Sequence, residues 1–507
     1  MLRGIRPLIG ATLLGLSMTA VGTLRATGGD GPASVLQHHH GATREGLYVE
    51  PALTRAAAAR LHRDPAFRVP LAGPTYAQPL FWAASGPGDR DLLIAATEQN
   101  RVSVMDAATG AIVWERSVGT PVPRRALPCG NIDPLGITGT PIIDAVSRTL
   151  FLDAMTTPDG GRTKKHLVLA LSLDDGAPRP GWPLDVSAAV RVGSVGFDSA
   201  VQNQRGALAL LGRVLYVPYG GHFGDCGRYH GWVVGVPLDA PGRVKAWATR
   251  AEGGGVWAPG GIASDGTALF VATGNTFGVS TWADGEAVLR LRSGPTFSGQ
   301  PADYFAPTDW PELDARDADL GGSGPVLIDV PDARPSRLVV ALGKNGEAYL
   351  LDQAHLGGIG AAVAQRRVSE GPITTAATSY ATPTGRYVAF RGRGVGCPSG
   401  QAGDVIAIRI GAAAPPTIRV AWCAAATGRG APIATTTDGR SEAIVWVVGA
   451  EGDDRLHGFD GNTGRVVFDG GGPSDRLPGV RRFQTPILAQ GRLIVAGDNA
   501  LYALTTR

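Results

Sequence analysis

A three-strand unit recurs eight times along this chain, and no other feature narrows its fold as much. The first copy is the clearest: LLIAATEQNRVSVMDAATGAIVWERSVG, Leu92 to Gly119. Each unit has a hydrophobic strand, a turn, a second strand of small and apolar residues, another turn, and a third strand that often carries Trp. Further units start their strands at Leu150, Val214, Ala268, Leu338, Arg386, Ala443 and Leu493, about fifty to seventy residues apart. Repeats of that length with several strands each describe a β-propeller. In the first copy Val102 and Val104, and Ile112 and Trp114 after the turn, alternate so as to face neighbouring blades. Asp106 and the Thr109-Gly110 pair close the turn. The last copy, RLIVAGDNALYALTTR, ends before any outer strand. Ala66 to Gly73 can supply it, so that strands from both termini close the ring and leave no open sheet edge. The expected fold class is therefore all-β, an eight-bladed propeller over residues 65–507.

Composition agrees. Gly 73 and Pro 37 of 507 residues are spread evenly, as turn punctuation between short strands is. The net charge is only +3, with no basic run and no stripe of Lys or Arg interleaved with aromatics, which argues against nucleic acid as a partner.

Residues 1–26 read as an export signal or an uncleaved N-terminal anchor. Arg3 and Arg6 precede an apolar stretch from Leu8 to Leu24, and small residues follow. The chain is thus expected outside the cytoplasm, in the periplasm, secreted or held at the cell envelope, touching membrane only through that anchor. Four cysteines suit such a compartment. Cys397 and Cys423 fall in one repeat and pair; Cys129 and Cys226 then form the second bridge. Residues 27–64 read as a polar segment with a short helix over Leu53 to Arg63. The triplet His38-His39-His40 in it is read as part of a solvated tail rather than a metal site.

The stretch GGGVWAPGGIASDGTALFVATGN, Gly253 to Asn275, carries the chemistry. Trp257 sits on a glycine-rich turn, and a strand then runs into Gly274 and Asn275. An indole face stacks on a flat conjugated ring. A carboxamide oxygen is a hard ligand suited to calcium.

The turn from Met105 to Trp114 resembles the repeat of pyrroloquinoline quinone (PQQ) propellers, a repeat shared with a cofactor-free propeller lipoprotein of outer-membrane barrel assembly. Gly253 to Asn275 is more specific and resembles quinoprotein alcohol and glucose dehydrogenases. There a Trp forms the floor under the quinone and a Gly-Asn supplies a calcium ligand, roles the resemblance gives to Trp257 and Asn275. LDARDADLGG, Leu313 to Gly322, resembles the family stretch that holds the catalytic aspartate. One register puts Asp314 there, as general base or metal ligand; a shift of three residues puts Asp317 there, and Asp319 matches a further carboxylate. ALGKNGEAYLLDQ, Ala341 to Gln353, resembles the segment whose basic residue bonds the quinone oxygens, which gives Lys344 that part. The region of the family's second calcium carboxylate is here YGGHFGDCGRYHGW, with Asp225 as the acid on offer and no Glu. Where alcohol-oxidising members carry adjacent cysteines above the quinone, this chain has Cys129 alone.

Two readings follow. One is an exported quinoprotein dehydrogenase that oxidises an alcohol or sugar with PQQ and calcium and passes electrons to a separate acceptor. The other is a propeller without turnover that binds a protein or glycan of the cell envelope.

Overall fold

A strand whose two faces are both apolar must be covered on both, and the strand that opens each repeat is largely apolar on both faces. The strands that open the units, second outward from the axis in each blade, show this: Leu92–Ala96 and Thr149–Thr156 are buried at every residue. In the computed structural model, which describes Met1, residues 33–86 and residues 88–506, the solution is a ring of eight blades. The second strands run over Leu92–Ala96, Thr149–Thr156, Val214–Gly221, Leu269–Ala272, Arg337–Leu342, Gly385–Arg391, Ile444–Val448 and Arg492–Gly497. Every one begins within one residue of its expected start. Each blade also has an innermost strand that the three-strand unit leaves out: Leu80–Trp82, Ile142–Asp144, Ala209–Leu211, Ala263–Ser264, Val326–Asp329, Thr378–Thr382, Ile433–Thr436 and Ile487–Ala489. These are short, down to two residues, which is why periodicity misses them.

Closure uses both ends of the chain. His62–Pro70 pairs antiparallel with Ala500–Thr505 as the outermost strand of blade 8. The expected helix over Leu53 to Arg63 shrinks to Arg55–Ala58, capped by the Thr54 hydroxyl. Pairing with the C-terminal strand takes the chain from His62 onward.

The core lies in the seams between blades. Ile94 and Val104 of blade 1 pack in one apolar cluster with Leu150, Leu152 and Leu169 of blade 2, and Trp114 lies against it. Ile112 does not follow the expected alternation and is 46% exposed. Three of the seams share a local device. In blade 1 the Asp106 carboxylate accepts from the backbone N–H groups of Ala108 and Thr109 and from the Thr109 hydroxyl, and Gly110 turns at φ +74°. A Cβ on Gly110 would lie 2.5 Å from Val69, in the outer strand of blade 8. Trp114 covers Gly176 of blade 2 in the same way and donates from its indole N–H to the Leu173 carbonyl (2.8 Å). Trp422 of blade 6 covers Gly464 of blade 7 and donates to the Gly461 carbonyl (2.9 Å).

Ala33–Arg507 form one unit, and residues 33–50 thread the centre of its ring. This corrects the reading of a solvated tail. The carbonyls of Leu36, Ala42, Thr43, Glu45 and Gly46 accept from the backbone N–H groups of Ile143, Ser264, Leu327, Ser379 and Ala434, and Val35 bridges Phe81. Leu47–Val49 then adds a parallel strand to the inner edge of blade 7. Arg44, fully buried, donates to the carbonyls of Leu208 (2.7 Å), Ile262 (2.9 Å) and His38 (2.9 Å). His38 reaches the Thr485 hydroxyl beside blade 8 (3.4 Å). The segment thus touches all eight blades. It is polar because it must answer the open edges of eight inner strands, not because it meets water. The export signal or anchor expected over residues 1–26 lies outside the described residues, apart from Met1. Among the described residues no helix is long and apolar enough to cross a membrane.

Removing the Arg44 guanidinium leaves three buried carbonyls without their donor. Arg44→Ala is expected to cost on the order of 3 kcal/mol in urea unfolding. Burial holds His39 neutral, lowering its pKa from 6.5 to about 4. The unfolded chain therefore binds the extra proton first, so stability is full above pH 6.5 and falls as the pH drops from 6.5 towards 4. His39→Asn keeps a donor for the Arg44 carbonyl and is expected to flatten that fall when unfolding is compared at pH 7 and pH 5. An unchanged slope would exclude His39 as its source.

Candidate functional site

A cavity of about 1190 Å³ opens along the axis of the ring. Its floor is shared with the threaded segment: Tyr76, Arg205 and Phe483 line both this cavity and a void of about 10 Å³ beside His38. Trp257, Asn275, Asp317, Asp319, Lys344 and Asp225 all line it. Asp314 does not.

The connection from blade 3 to blade 4 brings Trp257 in. Gly253 lies so close to the strand end that a Cβ there would sit 2.4 Å from the Asn275 carbonyl oxygen, and Gly254 donates to that same oxygen (2.7 Å). Gly274 is tied to Gly255 (3.1 Å), and a Cβ on it would lie 3.0 Å from the Asp319 carboxyl carbon and 3.1 Å from Trp257 Nε1. Glycine at both places lets the two segments touch.

Asp319 holds the group together. Its Oδ1 accepts from the Asn275 N–H (2.8 Å), and its Oδ2 accepts from Trp257 Nε1 (3.0 Å) and from Lys344 Nζ (2.6 Å). The Asp319 backbone carbonyl also accepts from the Lys344 N–H (2.8 Å). Burial raises the pKa of this carboxyl above its ordinary value, against the pull of Lys344. Lys344 Nζ also reaches Asp317 Oδ1 (2.6 Å). Burial works against the ammonium, yet the Asp319 charge, aided by Asp317, outweighs it and raises the Lys344 pKa. Lys344 Nζ stands 5.1 Å from the centre of the Trp257 ring and the Arg205 guanidinium 5.5 Å from it, both cation–π distances. Beneath them Glu286 accepts from the Leu320 N–H (2.6 Å); burial, with Asp319 nearby, pushes its carboxyl well above the usual range.

Asp314 and Asp317 part company although three residues separate them. Asp314, in the helix Trp310–Arg316, accepts from the Thr276 N–H and hydroxyl, both at 2.7 Å. Both of its oxygens therefore serve to pin the residue after Asn275. Asp317 caps the same helix in the left-handed region (φ 50°), and its side chain is 62% exposed towards the cavity it lines.

The loop from His222 to Tyr229 forms another wall. Asp225 accepts from the Tyr229 hydroxyl (2.7 Å), and burial lowers the His222 pKa to about 4. Cys129 does not act alone: it is bridged to Cys226 and so ties this loop to the segment leading into blade 2. Cys397 and Cys423 form the second bridge, as expected. Arg205 and Arg391 are site residues that sequence reasoning missed. Arg205 stands in the link just before the inner strand of blade 3, and its Nε is buried without a hydrogen-bond partner. The only sequence signal was a cation, NQRGALAL, directly ahead of an apolar strand.

No family model matches this sequence, and no curated protein matches it. Solved structures do. A quinohemoprotein alcohol dehydrogenase from Comamonas testosteroni is similar over 94% of this chain and 80% of its own, with a TM-score of 0.64 at 12% identity. A europium-containing methanol dehydrogenase is similar over 92% of this chain and 90% of its own, with a TM-score of 0.62 at 13% identity. BamB from Moraxella catarrhalis covers 88% of this chain and 97% of its own, with a TM-score of 0.50 at 14% identity. At such identities the likeness speaks for architecture: this chain has the eight-bladed fold of quinoprotein dehydrogenases.

Proposed function

We propose that the cavity holds a PQQ-type quinone on Trp257 and that the protein oxidises an alcohol or sugar, passing the electrons to a separate acceptor. The observation that carries this is Trp257 itself. A half-buried indole lines a large cavity, is fixed through Nε1 by Asp319, and has two cations at its ring. A flat, multiply anionic ring suits that setting, and the orphaned Arg205 Nε is a donor still available to such a ligand. Trp257 would stack on the quinone, with Lys344 and Arg205 at its oxygens.

The residues assigned to calcium fit less well. Asp314 is taken up by Thr276, Asp225 by Tyr229, and the Lys344 ammonium already bridges Asp317 and Asp319. No cluster of three acidic, His or Cys ligands occurs among the described residues. The positive charge at this site is supplied by Lys344, and no step is assigned to a metal.

When bound, the quinone supplies a two-electron acceptor. Asp317 is the carboxylate we assign as base, in preference to Asp314: it lines the cavity, and among the described residues its side chain pairs with Lys344 alone. It accepts the hydroxyl proton of the substrate as hydride leaves the carbon. Lys344 would hold its positive charge beside a bound acceptor that gains negative charge. Asp319 keeps Trp257 and Lys344 in place. The two disulfides support an exported protein. The second reading, a binding scaffold without turnover in the cell envelope, draws its support from the unassembled calcium ligands.

The test is retention of quinone after removal of free cofactor, followed by turnover of alcohols and sugars with an artificial acceptor. Trp257→Ala is expected to weaken retention about tenfold, the worth of a lost stacking contact. Asp317→Asn is expected to keep the quinone and lose roughly 100-fold or more in turnover. Asp314→Asn is expected to retain the quinone and lower stability by about 1–3 kcal/mol, since Thr276 loses an acceptor. No quinone retained at high micromolar cofactor sinks the dehydrogenase reading.

A further inference from the structure

Three blades round the ring from Trp257, the same cavity has a wall of another character. Arg391 ends the second strand of blade 6, Arg393 follows it, and Arg429 stands in the link to blade 7; all three line the cavity. The other cations there are placed elsewhere: Lys344 pairs with Asp317 and Asp319, Arg482 with Glu451, and Arg205 stands over Trp257, where the quinone reading uses it. Asp453, which also lines this side, is taken by His457 (2.8 Å). Arg391 is 6% exposed; its Nη2 donates to Asp404 (2.8 Å) and to the Gly428 carbonyl, while its Nη1 is buried with no partner. Arg393 and Arg429 are exposed and, among the described residues, their side chains make no hydrogen bond or ion pair; the charge of Arg429 is felt by Glu451, which pairs with Arg482. A buried guanidinium N–H without an acceptor is costly unless a ligand answers it. The cavity is also larger than the roughly 300–1,000 Å³ of an ordinary small-molecule site, which leaves space beyond a ring stacked on Trp257.

We propose that Arg391, Arg393 and Arg429 form an anion-binding wall that takes the carboxylate or phosphate of an acidic sugar or polyol, whose hydroxyl end then faces Asp317. Guanidinium groups recognise both oxyanions through paired N–H donors. The assignment of that hydroxyl end rests on the quinone reading; the anion site itself does not.

Calorimetric titration of the full chain, with and without quinone, tests it using gluconate, glucose 6-phosphate and neutral glucose. At least one anion is expected to bind at least tenfold more tightly than glucose, with affinity falling as salt rises. Preference for gluconate identifies a carboxylate ligand and preference for glucose 6-phosphate a phosphorylated one. The double variant Arg393→Ala, Arg429→Ala is expected to remove that tenfold advantage while leaving thermal unfolding and quinone retention unchanged. If it proves unstable, Arg429→Gln alone should reduce the advantage at least threefold. Equal binding of glucose and both anions overturns the proposal, as does anion binding that survives the substitutions. So does loss of quinone retention in the variants, which would make these arginines part of the cofactor site. Anion binding without any quinone retention leaves the wall standing and removes only the dehydrogenase reading.

Discussion

Everything in this molecule depends on burying both faces of each blade against its neighbours. No blade has a core of its own: the apolar clusters run across seams, such as Ile94 and Val104 with Leu150 and Leu169. At three seams a side chain from one blade is also seated over a turn glycine of the next, Val69 on Gly110, Trp114 on Gly176, Trp422 on Gly464. Packing across the seams fixes the rotation from blade to blade, and eight of those rotations close the ring. The cavity follows from that closure, because the inner ends of the blades cannot converge to a point.

Within the cavity a smaller arrangement repeats the same logic. Asp319 makes three contacts with three different segments, the indole of Trp257, the backbone of Asn275 and the ammonium of Lys344. Its burial costs solvation of a charge, which those three donors offset. Asp314 does the corresponding work one turn earlier by holding Thr276. Two aspartates therefore build the site, and Asp317 is the one whose side chain stays exposed at the cavity.

The strands of the outer blade were legible because hydrophobic alternation and turn residues are local signals. All eight second strands, and the closing strand near Ala66, could be placed that way. Trp257, Asn275 and Lys344 could be singled out only through a family resemblance, and all three line one cavity. The inner strands were not legible, being two to five residues long with no period to show. Nor was the threaded segment. His38 and His39 look hydrophilic, and only carbonyls and hydroxyls from distant blades make them core residues. Asp314 and Asp317 could not be told apart from sequence either, since the choice depends on which side of a helix end each one leaves.

That threaded segment has a consequence for the order of assembly. Leu47–Val49 finds its partner only at Ala434–Thr436, and His62–Pro70 only at Ala500–Thr505. The first residues of the compact unit to be synthesised are thus among the last to be satisfied. Until the chain is complete, its early polar segment has no channel to line and the outer strand of its eighth blade has no partner. Contacts of such long range carry a large entropic cost before they return any energy. Each intermediate ring is an open stack with an unpaired flank, the kind of species that aggregates. Completion of the C-terminal strand converts it, in one step, into a closed molecule.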